Sequence, residues 1–287
     1  MKIAIVGLGL IGGSVCKALK KNTFHHIMGL DADGEVCRKA LDSGAIDEII
    51  TADGLNDADM TMLCLYPETI VEFVKQHKDK FKPGSIVTDS CGVKEYVVTR
   101  CTEVLEPLGV IFVGSHPMAG REFSGFDYST DDLFKDASYI ITPSENTPKM
   151  AIDLLSTLAC CMGFGKVVTA TPKQHDINIA FTSQLAHVVS NAYVKSPSLF
   201  NADGFSAGSF MDLTRVAKLN EYMWSSLFLC NKKALLFELN TIIDNLCEYR
   251  DAIGDDDAER LRDILRDGRE RKEKSNELYA EHARRKI

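Results

Sequence analysis

The strongest indication of the fold is the segment Ile3-Ala4-Ile5-Val6-Gly7-Leu8-Gly9-Leu10-Ile11-Gly12. It joins a short apolar run, typical of a buried strand, to glycines in the pattern GxGxxG, and a helical pattern follows. The first glycine permits a tight turn, the second lets a pyrophosphate approach the backbone, and the third lets the helix pack on the strand. The N–H groups at the start of that helix would face the phosphates. The sequence therefore predicts a dinucleotide-binding site at Gly7, Gly9, Leu10, Ile11 and Gly12.

An acidic residue at the end of the second predicted strand indicates which dinucleotide is bound. Asp31 lies 19 residues after Gly12 and is followed by Ala32 rather than by an arginine. A carboxylate at this place accepts hydrogen bonds from ribose hydroxyls and repels a 2′-phosphate. We therefore expect NAD as the cofactor, in preference to NADP.

The order of the predicted elements indicates two domains. Short β-branched runs alternate with helical patterns before Pro172, whereas almost no strand signal follows His175. We expect an α/β fold, with a Rossmann-type doubly wound parallel sheet that binds NAD in residues 1–170. An all-α helical domain for substrate binding and dimerisation is expected in residues 171–287. The predicted strands are 3–6, 27–30, 61–65, 86–88, 110–113, 139–142 and 166–169, and a helix is predicted over 150–162.

Charge and cysteine content narrow the possible functions. The chain has 287 residues and a formal charge of −8, and an acidic protein is a poor match for nucleic acid. The nine cysteines form neither a CxxC pair nor a zinc-like cluster, so we expect reduced thiols, no metal and a cytoplasmic protein. No apolar stretch approaches the roughly 18 residues that a membrane-spanning helix needs. We therefore expect no contact with a membrane.

A predicted helix over 222–249 carries apolar residues on most of its sides. Such a helix is buried all round, either inside a bundle or against a second subunit. We expect a homodimer formed through the helical domain, with packing inside one chain as the alternative.

A histidine follows the predicted strand 110–113, in the segment Ser115-His116-Pro117-Met118-Ala119-Gly120. Ligands of α/β sheets lie beyond the carboxyl ends of the strands. An imidazole titrates near neutral pH and therefore suits proton transfer. His116 is the candidate catalytic residue, with a structural role as the alternative.

Further motifs accompany this segment along the chain. They are residues 7–14, Asp89-Ser90-Cys91-Gly92-Val93-Lys94, residues 116–120 with Glu122, Ser124 and Gly125, Gln174-His175-Asp176, Ser183-Gln184-Leu185-Ala186-His187, Asp212-Leu213-Thr214-Arg215 and Trp224. With these motifs, the chain resembles the prephenate and arogenate dehydrogenase family over nearly its whole length. The resemblance implies NAD-dependent oxidative decarboxylation of prephenate to 4-hydroxyphenylpyruvate, on the route to tyrosine, with His116 as the residue that takes the hydroxyl proton.

The resemblance also implies the contacts of a doubly anionic substrate. Arg215 matches the family arginine that pairs with a carboxylate, although a surface salt bridge with Asp212 is the alternative. His187 matches a second pocket histidine and Trp224 a pocket wall, with ordinary burial as the alternative for each. Glu122 matches a carboxylate of a gate or polar network.

The chain departs from the family pattern at Gly92, where many relatives have a serine that contacts the substrate hydroxyl. Ser90, a water or a backbone N–H would have to substitute for it. Lys94 either aids anion binding or is a solvated lysine at a helix start, and His175 is expected to order the segment between the domains.

Three alternative functions stay open at this point. Arogenate dehydrogenase differs only in an amino group on the substrate. A β-hydroxyacid dehydrogenase would need a catalytic lysine in the helical domain, for which Lys195 and Lys218 are the candidates. A non-catalytic NAD-sensing dimer would not need both His116 and Arg215.

Overall fold

The computed structural model describes residues 1–121 and 123–284, in which eight strands form one sheet. In chain order, the strands are β1 (Lys2–Val6), β2 (His26–Leu30), β3 (Glu48–Ile49), β4 (Met60–Leu63), β5 (Ile86–Asp89), β6 (Ile111–Pro117), β7 (Ser138–Thr142) and β8 (Lys166–Thr169). Their order across the sheet is β3-β2-β1-β4-β5-β6-β7-β8, and all neighbours run parallel except β6 and β7. Each predicted strand is present within a few residues of its expected bounds, and the short β3 is additional.

Helices cover both faces of the sheet, as expected for a doubly wound fold. The central strand β1 sends Ile3 and Ile5 into one apolar cluster and Ala4 and Val6 into the other, because successive side chains of a strand point to opposite faces. One cluster includes residues of α1 (Leu10–Asn22), α2 (Gly34–Asp42) and α5 (Lys149–Cys161), and the other includes residues of α3 (Pro67–His77) and α4 (Glu95–Leu105).

The strand β6 changes its partner halfway along its length. Residues 111–113 pair in parallel with β5, and residues 114–117 pair antiparallel with β7. The strand therefore continues four residues beyond the predicted end at Val113, and His116 lies inside it, opposite Ile140. Since β6 ends its pairing with β5 at Thr88 and β5 itself ends at Asp89, this extension carries His116 past the carboxyl end of β5.

The sheet is followed by helices. The segments α6 (Pro172–Ile179), a π-helix (Ala180–Leu185) and α7 (Ala186–Tyr193) follow one another without a break as one helical rod. Two further helices, α8 (Gly208–Thr214) and α9 (Glu221–Cys230), come next. The sheet ends at Thr169 and α6 begins at Pro172, and the division into domains at residues 170 and 171 stays a prediction.

The prediction of a single helix over 222–249 is wrong, because Asn231 separates α9 from α10 (Lys232–Gly254). The Asn231 amide is buried and donates to the Asp176 carbonyl oxygen and to Gln184 Oε1, each at 2.8 Å. Burial all round is also not found within one chain, since Tyr222 is 77% exposed and Phe237 is 68% exposed.

The described contacts divide the chain into two compact units, Met1–Leu235 and Leu236–Ile287. The second unit contains α10 from Leu236 onward and α11 (Ala258–Arg284). All nine cysteines are free thiols, and Cys16, Cys37, Cys91 and Cys101 are buried. Among the described helices, none combines the length and the hydropathy that a bilayer crossing requires.

Candidate active site

The glycine loop after β1 has the shape that a dinucleotide requires. Gly7 has φ +88°, and a Cβ at Gly7 or at Gly12 would clash with backbone atoms. A Cβ at Gly9, in contrast, would meet no atom of the described residues within 4 Å, so the backbone there faces open space. Gly9 precedes α1 without a side-chain cap, and the first turn of α1 has no acidic residue, which leaves its N–H groups for an anion. The loop therefore fits a pyrophosphate.

Two of the predicted cofactor residues, Leu10 and Ile11, lie in that first turn and are half-buried. Asp31 follows β2, and its carboxylate accepts hydrogen bonds from Leu8 N at 2.7 Å and Asp33 N at 2.9 Å. A carboxylate has about four acceptor positions, so two stay available for ribose hydroxyls. The structure brings Asp31 and the glycine loop together, and it adds a bracing role for Asp31 that the sequence did not indicate.

His116 is half-buried on β6 and forms one end of a chain of polar side chains. Its Nδ1 lies 2.8 Å from His175 Nε2, and the Nδ1 of His175 lies 2.7 Å from Asp176 Oδ1. Both His175 and Asp176 are buried on α6. The start of α6 is fixed by a capping box, in which Thr171 Oγ1 accepts from Gln174 N while Gln174 Oε1 accepts from Thr171 N.

The pKa values of both imidazoles lie below the ordinary range. Burial lowers the pKa of His116 well below 6.5, and the nearby His175 and the Lys94 charge lower it further. Burial likewise lowers the pKa of His175, and Asp176 only partly opposes this shift. His116 is therefore neutral at pH 7 and able to accept a proton.

Lys94 has neither of the two roles considered for it from the sequence. It is fully buried, forms an ion pair with Asp89, and donates to the Ser115 carbonyl oxygen at 2.8 Å. Burial opposes the charge of its ammonium, but Asp89 outweighs this effect, so the pKa of Lys94 is raised. With no exposed surface, it is not a solvated lysine, and its ammonium does not face a substrate.

A buried network around Ser115 holds the strand that carries His116. Ser115 N donates to Asp89 Oδ1 at 3.2 Å, and Ser115 Oγ donates to the Asp89 carbonyl oxygen at 2.5 Å. The hydroxyls of Thr88 and Tyr139 both donate to Ser115 Oγ, at 3.0 and 2.6 Å. These bonds explain why β6 extends in regular geometry past β5.

The remaining ring nitrogen of His116 faces Gly92. A Cβ at Gly92 would lie 3.8 Å from His116 Nε2 and 3.4 Å from Leu227 Cδ2, both ordinary contacts. The described residues therefore leave room for a methyl group between Gly92 and the His116 ring. Leu227 belongs to α9, which thereby forms one wall next to His116.

The same helix brings a second group of predicted residues together. Trp224, one turn before Leu227, packs on His187 with ring centroids 4.0 Å apart. His187 Nδ1 lies 2.8 Å from the Ser183 carbonyl oxygen. Burial lowers the pKa of His187, the hydrogen bond to Ser183 partly opposes this shift, and the nearby Arg215 charge lowers the pKa further. Arg215 follows α8, is exposed, and has no ion pair with any carboxylate of the described residues, Asp212 included.

Some functional residues lay beyond sequence reasoning. Glu122 falls outside the described residues. Gln174-His175-Asp176 was noticed as a motif, but the contact of His175 with His116 joins residues 59 positions apart, and no local pattern signals it. Among the described residues, no group of three His, Cys, Asp or Glu side chains is arranged to hold a metal ion.

Comparison with known proteins identifies a family. The family model described as prephenate dehydrogenase, nucleotide-binding domain, matches residues 15–168, and the model described as prephenate dehydrogenase, dimerization domain, matches residues 171–267. The chain is 33% identical over 269 residues to prephenate dehydrogenase from Bacillus subtilis, covering 90% of this chain and 72% of that protein.

Two solved structures are similar over nearly their whole length. Prephenate dehydrogenase from A. aeolicus, in complex with hydroxyphenyl propionate and NAD+, has a TM-score of 0.85 and 31% identity, covering 96% of this chain and 98% of that chain. Synechocystis arogenate dehydrogenase has a TM-score of 0.82 and 27% identity, covering 96% of this chain and 100% of that chain.

Proposed function

We propose that this chain, which belongs to the prephenate dehydrogenase family, catalyses the NAD-dependent oxidative decarboxylation of prephenate to 4-hydroxyphenylpyruvate with His116 as the base. The position and the protonation state of His116 support its role as the base. Its imidazole is neutral, its Nε2 faces the space beside Gly92, and it lies at the same edge of the sheet as the glycine loop after β1.

The chemistry needs little from the protein besides orientation and one proton acceptor. When bound at Gly7, Gly9, Leu10, Ile11, Gly12 and Asp31, NAD supplies the acceptor for the hydride of the ring carbon that bears the hydroxyl. His116 Nε2 takes the hydroxyl proton as the C–H bond breaks. The ring carboxylate then leaves as CO2, its electron pair restores an aromatic ring, and His116 returns the proton to the phenolate oxygen.

The doubly anionic substrate requires positive charge in an acidic protein. The Arg215 guanidinium has no ion pair with a carboxylate of the described residues, so it is available to bind a substrate carboxylate through two parallel hydrogen bonds. His187 has its Nδ1 engaged with Ser183 and its ring packed on Trp224, which leaves Nε2 for a second contact. We assign Arg215, His187 and Trp224 to substrate binding.

The direct experiment is to mix the purified protein with NAD and prephenate and to follow NADH by absorbance. We expect NADH and 4-hydroxyphenylpyruvate in equal amounts, with NADP much less effective because Asp31 repels its 2′-phosphate. Arogenate is the second candidate substrate, favoured by the similarity to the Synechocystis arogenate dehydrogenase. Absence of NADH with both substrates would reject the proposal.

The exposed apolar side chains of α9 and α10 support a homodimer. Tyr222, Leu229, Phe237 and Leu246 are each more than half exposed in one chain. Light scattering on the eluted protein should give twice the 31.7 kDa of one chain, and Phe237→Glu should lower this mass. A monomer at micromolar concentration would contradict the assignment.

The nine free thiols support a reducing compartment, and we place the enzyme in the cytoplasm on that ground.

A further inference from the structure

We infer that His175 and Asp176 are positioning residues that hold neutral His116 with its proton on Nδ1 and its lone pair on Nε2. The inference rests on the proposed function, because it explains how the base is kept ready for the substrate hydroxyl. It follows from the order of donors and acceptors along the chain Asp176, His175, His116.

The chain starts from a group that can only accept. The Asp176 carboxylate receives Lys94 N at 2.7 Å on Oδ1 and Glu95 N at 2.8 Å on Oδ2, at the beginning of α4. An ionised carboxylate has no proton to donate. The short contact between Asp176 Oδ1 and His175 Nδ1 therefore requires that Nδ1 carries the proton.

The second step transmits this polarity to His116. Burial lowers the pKa of His175, so its ring is neutral and Nε2, without a proton, is an acceptor. The only donor that can serve the 2.8 Å contact with His116 Nδ1 is then the Nδ1 proton of His116. The Nε2 of His116 consequently has a lone pair.

The opposite arrangement would disable the base. If His175 carried its proton on Nε2, then His116 Nδ1 would accept and His116 Nε2 would carry a proton. A protonated Nε2 cannot take the hydroxyl proton, and His175 Nδ1 would face a carboxylate with lone pairs on both sides. Asp176 excludes this arrangement, and its own orientation is fixed by two backbone N–H groups.

The charged surroundings also favour a neutral pair. His116 on β6 faces His175, which lies on α6, and it is near the ammonium of Lys94, the residue before α4. His175 faces Asp176 on its own helix, with Lys94 and Asp89 nearby. When His116 takes the substrate proton, its Nδ1–H already points at His175 Nε2, so the new positive charge is stabilised without any side chain having to move.

The direct test is nitrogen NMR of the full-length protein containing 15N-labelled histidine. The chain has seven histidines, and the His116 signals are assigned from their loss in His116→Gln. We expect neutral His116 with its proton on Nδ1 at pH 7. The Nε2-protonated form as the main species in the unaltered protein would overturn the inference.

The matched variants are His175→Phe and His175→Gln, with His77→Gln as the control for the change of residue type. Phenylalanine removes the acceptor and should move the proton of His116 to Nε2, with a fall in turnover of about 10- to 100-fold. Glutamine keeps a carbonyl acceptor and should retain most of the turnover. The Michaelis constant for prephenate and the affinity for NAD should change less than about threefold in both variants.

These results separate the two proposals. An active enzyme with His116 protonated on Nε2, or with equal turnover in His175→Phe and His175→Gln, would reject the positioning role alone. A protein that has the Nδ1-protonated His116 but oxidises neither prephenate nor arogenate would reject the proposed function alone. If His175→Phe unfolds, the NMR measurement on the unaltered protein still shows which nitrogen of His116 carries the proton and so tests the positioning role.

Discussion

Lys94 and Asp89 form an ion pair with no solvent exposure, and the same ammonium donates to the carbonyl oxygen of Ser115, the residue before His116. The pair therefore holds β6, the strand that carries His116, from inside the protein. A charged side chain in this position is stable only while its partner is present, because an isolated buried charge is strongly unfavourable.

Lys94→Met should lower the free energy of unfolding by about 3–5 kcal/mol, because it leaves the Asp89 carboxylate buried without its partner. Urea denaturation measures the change. Lys82→Met is the control, since Lys82 pairs with Asp59 at the surface and its loss should be below about 1 kcal/mol. Equal effects of the two substitutions would contradict the bracing role.

His116→Asn should lower turnover by about 100- to 10,000-fold, because an amide cannot take the hydroxyl proton. The affinity for NAD should be unchanged, since His116 does not belong to the glycine loop. Steady-state kinetics and calorimetric titration with NAD measure the two quantities. Near-normal turnover would remove His116 from the mechanism.

The acid limb of the pH profile should lie below the ordinary histidine range. Burial lowers the pKa of His116, so the base stays neutral as the pH falls to 6.5 and is lost by protonation only at lower pH. The measurement is kcat/KM for prephenate between pH 5 and 9, which reports groups of the free enzyme. An acid limb centred above pH 6.5 would argue against this environment for His116.

Arg215→Ala should raise the Michaelis constant for prephenate by about 10- to 100-fold, as expected for one lost hydrogen-bonded charge, and should lower turnover much less. Arg215→Lys keeps the charge but not the planar fork, so it should give an intermediate value. An unchanged Michaelis constant in the alanine variant would exclude Arg215 from substrate binding.

Gly92→Ser should be tolerated, because its Cβ would meet Leu227 and His116 only at ordinary contact distances. We expect turnover within about tenfold of the original and a change in unfolding free energy below about 1 kcal/mol. Gly92→Leu would fill the space beside His116 Nε2 and should abolish prephenate oxidation. Loss of activity in both variants would mean that the backbone at Gly92 itself needs this space.

The sheet was predictable because its strands are apolar runs between turn signals, and seven of them could be located in that way. The two residues of β3 are too few for such a signal. The extension of β6 through Ser115 and His116 depends on pairing with β7 and on the hydroxyls around Asp89, which no local pattern reveals.

The sequence names candidate residues for the site, but it does not indicate how they are connected. The glycine loop and His116 have recognisable motifs, whereas the burial of Lys94 depends on a carboxylate that comes close only after folding. The break at Asn231 has a similar origin, because its amide bonds to the Asp176 carbonyl oxygen and to Gln184 are made across the fold.

The π-helix at Ala180–Leu185 lies between two parts of the candidate site that share one helical rod. On the amino side of it, the rod directs His175 and Asp176 towards His116, and on the carboxyl side it directs His187 towards Trp224. A π-turn holds one residue more than an α-turn, and each residue of a helix adds about 100° of rotation. In the coding sequence, an in-frame loss of one codon within this segment would therefore leave every site residue present while turning the two histidines out of phase.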